Sequence, residues 1–201
     1  MMKTRQKIYI LFKRIISIIG SLIGLIIFAL PMLIIAIGIK CTSKGPVLFK
    51  QKRFGKNKKI FTMYKFRSMR IDAPETPLAS FTEEEQKHHV YKFGAFLRKT
   101  SLDELPQLFN IIKGDMSFIG PRPSMVVGDD ILNAARDAQD PSPFKVNPGL
   151  SGYAQIHTRI NPDPDKKAEM DSYYVKKLSF WLDIKIFFFS ILVFFGYSKG
   201  K

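Results

Sequence analysis

Two adjacent carboxylates, Asp103 and Glu104, stand in the stretch KTSLDELPQLFNIIKGDMSFIGPRP, with Arg98 and Lys99 at its start and Arg122 held between two prolines at its end. Carboxylates among cations suit phosphate chemistry: an ionised aspartate attacks phosphorus while arginine and lysine neutralise the oxygens around it. A second carboxylate beside the first opposes a diphosphate unless a divalent cation lies between them. The same residues also have a structural reading. Ser101-Leu102-Asp103-Glu104 has the spacing of a capping box, and acids in a first turn complement the helix dipole. Pro106 fits that cap badly, because it falls beyond the free N–H groups and would remove a hydrogen bond to the Leu102 carbonyl. On these residues alone both readings stay open.

The elements that must position the pair are short. Val47 to Phe54 and Ile60 to Phe66 alternate as strands about a turn at Gly55 to Lys59, a hairpin. Lys65 and Arg67, two apart on the second strand, share a face and are placed to grip a phosphate together. Thr82 with Glu83, Glu84 and Glu85 opens a helix expected to run to Lys99, with Val90, Phe93 and Leu97 as its core stripe. A second helix covers Leu102 to Lys113 and stops at Gly114. The stretch DILNAARDAQD reads as a polar helix, and VNPGLSGYAQ as a turn into a short extended piece. His88 and His89 diverge by ~100° on a helix and cannot chelate one metal, and His157 stands alone. The fold class expected is α+β, mainly α with a small β-hairpin.

The charge is uneven. Of 32 Lys and Arg, half lie at or before Arg70, and the first acid is Asp72, so the net +15 comes from the N-terminal third. A basic chain suggests nucleic acid, but this basic third surrounds the uncharged apolar run Ile15 to Ile39, which points to anionic lipid and phosphate instead. Nucleic acid is not an expected partner. The run is long enough to cross a bilayer, yet basic residues flank it on both sides, Lys3 to Arg14 before and Lys40 to Arg53 after, so a straight crossing strands one cluster. Pro31 frees the Ile27 carbonyl and offers a bend by which the chain enters and leaves on one face. Gly20 and Gly24, four apart, suit close approach of another helix. Residues 1–44 therefore read as a re-entrant helix-break-helix anchor and 45–201 as one globular domain. The lone Cys41 excludes an internal disulfide and agrees with a reducing compartment. A final apolar run, Ile186 to Tyr197, is too short to span and, with Trp181 and the nearby tyrosines, suits an interfacial helix.

Four blocks taken together, GPVLFKQKRFGKNKKIFTMYKFRSM, FLRKTSLDELPQLFNIIKGDMSFIGPRP, NPGLSGYAQ and DSYYVKKLSFWLDIKI, resemble the bacterial sugar transferases, the monotopic phosphoglycosyl transferases. LDELPQL and GDMSFIGPRP are the most specific pieces. The resemblance implies an enzyme at the cytoplasmic face of a bacterial inner membrane that moves a phosphosugar from a UDP-sugar to polyprenol phosphate, releasing UMP. It implies Asp103 as the nucleophile, Glu104 beside it helping to hold Mg2+, and Lys65, Arg98, Arg122 and Arg159 on the phosphates. The family's Ser-Pro break corresponds here to Leu30-Pro31, and its Asn-Gly-Arg to His157-Thr158-Arg159. The alternative is a non-catalytic basic module binding anionic lipid or polyprenol phosphate at the membrane surface.

Overall fold

A computed structural model describes residues 3–74, 82–157 and 163–194 of the chain. It is mainly helical, with a hairpin and one short parallel strand pair. Helix α1, Thr4–Thr42, is followed by strands β1, Leu48–Phe54, and β2, Ile60–Phe66. These pair antiparallel with Phe49 opposite Lys65 and Arg53 opposite Phe61. The connecting turn falls at Gly55 to Lys59 as expected, with Asn57 and Lys58 at positive φ. Helices α2, Glu83–His89, and α3, Lys92–Lys99, come next, then α4, Gln107–Lys113, and β3, Ser117–Ile119. There follow α5, Asp130–Asp137, β4, Gly149–Ser151, α6, Tyr153–His157, α7, Pro164–Lys176, and α8, Phe180–Phe194. Strands β3 and β4 run parallel, Ser117 opposite Gly149 and Ile119 opposite Ser151.

Three clusters form the core. Phe61, Met63, Leu108, Ile111 and Met116 lock the hairpin to α4. There the Asn110 side chain acts as a surrogate strand, accepting from the Tyr64 amide at 3.0 Å and donating to the Thr62 carbonyl at 2.7 Å. Ile119, Val146, Ile156, Tyr174, Val175 and Ile186 join β3 to α6, α7 and α8. Ile35, Ile39, Phe66 and Leu97 tie the end of α1 to β2 and α3.

The last cluster bears on the anchor. Helix α1 has 39 residues with Pro31 inside it, so at ~1.5 Å per residue it is about 58 Å long, roughly twice a hydrocarbon core. The interruption expected at Pro31 is absent as a gap in helical backbone. The physical reason is support on both sides of the proline: Gly24 faces Leu108 before it, while Met32 and Ile35 pack with Phe66 and Leu97 after it. The close approach expected at Gly20 and Gly24 is made by the globular part, since a Cβ on Gly20 would lie 2.9 Å from the Phe118 ring and one on Gly24 3.2 Å from Leu108.

Lys13 and Arg14, expected as free flanking charges, are committed to the same body. Lys13 donates to Asp183 of α8 at 2.6 Å, where Tyr9 and Tyr174 also donate, at 2.6 and 2.7 Å. Arg14 donates to the carbonyls of Ile111 and Ile112 at the C-terminal end of α4, where a cation complements the helix dipole. Gln6 reaches the carbonyls of Val175 and Lys176. One stripe of α1 is thus held by the domain along most of its length, while Ile8, Ile15, Leu22, Ile26, Leu33 and Ile37 lie exposed on the remaining surface.

The helix expected from Thr82 to Lys99 is two. The Thr82 capping box forms with Glu85, but Val90 and Tyr91 are extended. Tyr91 donates its hydroxyl to the Arg67 carbonyl, and Gly94 sits so close to the Ser68 carbonyl that a Cβ would be 2.0 Å from its oxygen. These tertiary contacts with the strand end redirect the chain between the two helices.

Candidate active site

Ser101 decides how the acid pair is presented. It takes φ 53° and ψ 16°, left-handed, and its side chain makes no cap hydrogen bond. The capping box suggested by spacing is therefore not formed. A 3-10 turn over Leu102 to Glu104 leads through Leu105 and Pro106, both right-handed, into α4, so Pro106 sits ahead of the helix rather than inside it. The Glu104 carboxylate, instead of returning to the backbone, accepts on Oε1 from Lys65 Nζ at 2.7 Å and from Arg122 Nη2 at 3.0 Å.

Asp103 is 7% exposed and lines a cleft of about 660 Å³. Its carboxylate accepts no hydrogen bond from a described residue, in contrast to Glu104. Burial raises its pKa, partly offset by Lys65 and then by Arg98 and Arg122. For Glu104 burial also raises the pKa, but Arg122 and Lys65 together overcome it and pull the value down to about 2. Burial lowers the pKa of Lys65, with Glu104 opposing that shift. Two adjacent acids thus have opposite environments: cations on Glu104 outweigh its burial, and on Asp103 burial outweighs the cations.

Lys65, Asp103, Arg98 and Arg122 all line the cleft. Arg98 is 3.4 Å from Ser68 Oγ, a long contact that leaves its guanidinium available. Arg67, expected to act with Lys65, is buried and donates instead to the carbonyls of Ser43 and Lys44 just after α1. It fastens the end of the apolar helix to the strand that carries Lys65. Arg159 lies outside the described residues.

Sequence reasoning missed Arg53, Asp129 and Lys167, which line the same cleft. Arg53 donates to the Pro123 carbonyl at 3.1 Å and lies 3.9 Å from Asp129. Burial, with Arg122 nearby, lowers its pKa to about 10. Behind Arg122, Arg136 donates to the Arg122 carbonyl at 3.0 Å and pairs with Asp171 through Nε at 3.1 Å, with both side chains 2% exposed. None of these residues belongs to a motif in the sequence, and the burial that commits Arg136 to Asp171 is not legible from its polar helix alone.

No three metal-ligating side chains cluster among the described residues. One or two carboxylates completed by substrate phosphates and water are nevertheless an ordinary magnesium set. Asp103 on the cleft wall and Glu104 next to it in sequence are the carboxylates available for such a set.

A sequence model described as bacterial sugar transferase matches residues 8–197. The UDP-glucose:undecaprenyl-phosphate glucose-1-phosphate transferase of Klebsiella pneumoniae is 39% identical over 189 residues, covering 92% of this chain and 40% of its own length. The UDP-N-acetylgalactosamine-undecaprenyl-phosphate N-acetylgalactosaminephosphotransferase of Aeromonas hydrophila is 40% identical over 192 residues, 92% of this chain and 44% of its own. The Escherichia coli (strain K12) UDP-glucose:undecaprenyl-phosphate glucose-1-phosphate transferase is 36% identical, with 90% and 39% covered. The chain thus spans about two fifths of the length of these relatives.

Proposed function

This chain belongs to the bacterial sugar transferase family, and we propose that it moves a phosphosugar from a UDP-sugar to undecaprenyl phosphate, with release of UMP. The observation that carries the reading is the contrast within the acid pair. Glu104 holds Lys65 and Arg122 on one oxygen, Oε1, while the Asp103 carboxylate, buried on the cleft wall, accepts no hydrogen bond from a described residue that it would have to give up before it attacks. An Asp103 oxygen adds to the β-phosphorus, the bond from that phosphorus to the bridging oxygen breaks, and the electron pair leaves with UMP. A phosphate oxygen of the polyprenol acceptor then attacks the same phosphorus and returns Asp103 as carboxylate. Lys65, Arg98 and Arg122 neutralise the phosphoryl oxygens in both steps. Asp103 and Glu104 would hold Mg2+, which supplies charge neutralisation on the diphosphate when bound.

Protein in detergent, supplied with Mg2+, polyprenol phosphate and a panel of UDP-sugars, is expected to release UMP with at least one of them. Release of UDP, or lipid-dependent binding with no nucleotide product across the panel, would overturn the reading.

The anchor follows from the same body of contacts. Gln6, Lys13 and Arg14 near one end of α1 and Ile35 and Ile39 near the other all bind the domain that carries the cleft. We infer that both ends of α1 lie on the cytoplasmic face of the inner membrane, with the outer apolar stripe of α1 and the exposed Trp181, Phe187 and Phe188 of α8 against anionic lipid. The bend at Pro31 is not needed for this topology. With Cys41 replaced and a cysteine placed at Lys3, an impermeant thiol reagent should label permeabilised cells only. Labelling of intact cells would mean a true crossing.

A further inference from the structure

The cleft has a direction, and β1 measures it. The strand starts beside the end of α1, and Phe49, near that start, pairs with Lys65, the partner of Glu104. Arg53 is four residues further along, about 13 Å at ~3.3 Å per residue, and pairs with Met125 at the opposite end. Asp129, Leu132 and Lys167, from α5 and its approach and from α7, line the cleft too; Asp129 lies 3.9 Å from Arg53, and Lys167 is near enough to Asp129 and Arg122 to feel their charge. A lipid-linked acceptor must come from the α1 end, which leaves the far end for the nucleotide half of the donor.

Charge at the far end does not balance. Arg122 is matched by Glu104, Arg136 by Asp171, and Asp129 is shared between Arg53 and the Met125 amide. Lys167 remains: it lines the cleft, and although its backbone amide donates to the Asp163 carbonyl, its side-chain ammonium makes no hydrogen bond to a described residue. We propose that Lys167 binds the phosphate of the departing nucleoside monophosphate, an inference that rests on the transferase reading above. When Asp103 bonds to the β-phosphorus, the bridging oxygen keeps the electron pair and its phosphate gains a negative charge; the ammonium of Lys167 meets that charge as it forms. Burial, followed by the nearby Arg136, lowers the pKa of Lys167 in the free protein, with Asp171 opposing. An arriving phosphate relieves both effects.

The test separates the two halves of the reaction in the full chain, held in detergent with Mg2+. The readouts are direct UMP binding by calorimetry, return of UDP-sugar when UMP is added to the isolated phosphosugar adduct, and discharge of that adduct by polyprenol phosphate. Lys167→Met is expected to weaken UMP binding at least tenfold and to slow the UMP-driven return by a similar factor, while acceptor discharge changes much less. Lys167→Arg should recover most of the UMP affinity. UMP binding unchanged in Lys167→Met, or equal losses in both half-reactions, would overturn the proposal. A wild-type protein that forms no adduct and binds no UMP would instead overturn the transferase reading itself.

Discussion

Asp103→Asn should yield a protein that remains folded and membrane-bound, melts no lower than wild type, and has lost turnover by roughly 10⁴-fold or more, the scale seen when a covalent nucleophile is removed. The stability half of this expectation comes from burial. A carboxylate whose pKa is raised by desolvation is held less favourably ionised in the folded chain than in the unfolded one, so near neutral pH its charge works against folding. Asparagine keeps the shape and removes the charge, and no described hydrogen bond is lost with it. The activity half comes from chemistry, because an amide cannot form the acyl phosphate. Mass spectrometry of wild type with UDP-sugar and no acceptor should find a phosphosugar on the peptide containing Asp103, and none in the variant. Glu104→Gln should behave differently: it also cripples turnover, but it lowers the melting temperature because Lys65 loses the carboxylate that compensates its burial. Together the two replacements should cost less activity than the sum of each, since they disable one unit. An active Asp103→Asn protein, or an adduct on another residue, would sink the mechanism.

The parts of this site that the sequence made legible are local. Alternation and a glycine turn gave β1 and β2 at nearly their observed limits, and Gly114, at φ 95°, ends α4 as its position suggested. What was not legible depends on residues far apart in the chain. Whether Ser101 caps a helix or turns left-handed is settled by what Glu104 can reach, and Lys65 and Arg122 lie 39 and 18 residues away from it. Arg67 shares a strand face pattern with Lys65, yet the carbonyls after α1 claim it. Lys13 and Arg14 looked like membrane flank because nothing local marks Asp183 or the end of α4 as their partners. The far wall of the cleft, with Arg53, Asp129 and Lys167, is assembled from three separate segments and carries no motif.

The buried pair behind the site should show how much of its strength is mutual attraction and how much is avoidance of an unpaired charge. Asp171→Asn leaves the Arg136 guanidinium in a place that is 2% exposed, and such a break costs about 3–5 kcal/mol. In a chain of this size that is on the order of 10 °C of melting temperature. Arg136→Met should cost a similar amount, because Asp171, whose pKa burial raises against the pull of Arg136, then loses its compensation. Removing both charges, as Arg136→Met with Asp171→Leu, takes the desolvation penalty out together with the attraction, so the double variant should melt within a few degrees of wild type. Its activity should not return. Arg136 Nη2 also donates to the Arg122 carbonyl, and with that bond gone the Arg122 guanidinium is no longer held at 3.0 Å from Glu104. The expected signature is a stable protein whose KM for the UDP-sugar rises several-fold more than its kcat falls. If the double variant is as unstable as the two single losses added together, the two charges are not coupled and each single loss comes from that residue's other contacts. If it is stable and binds donor as wild type does, Arg122 is positioned by its prolines alone.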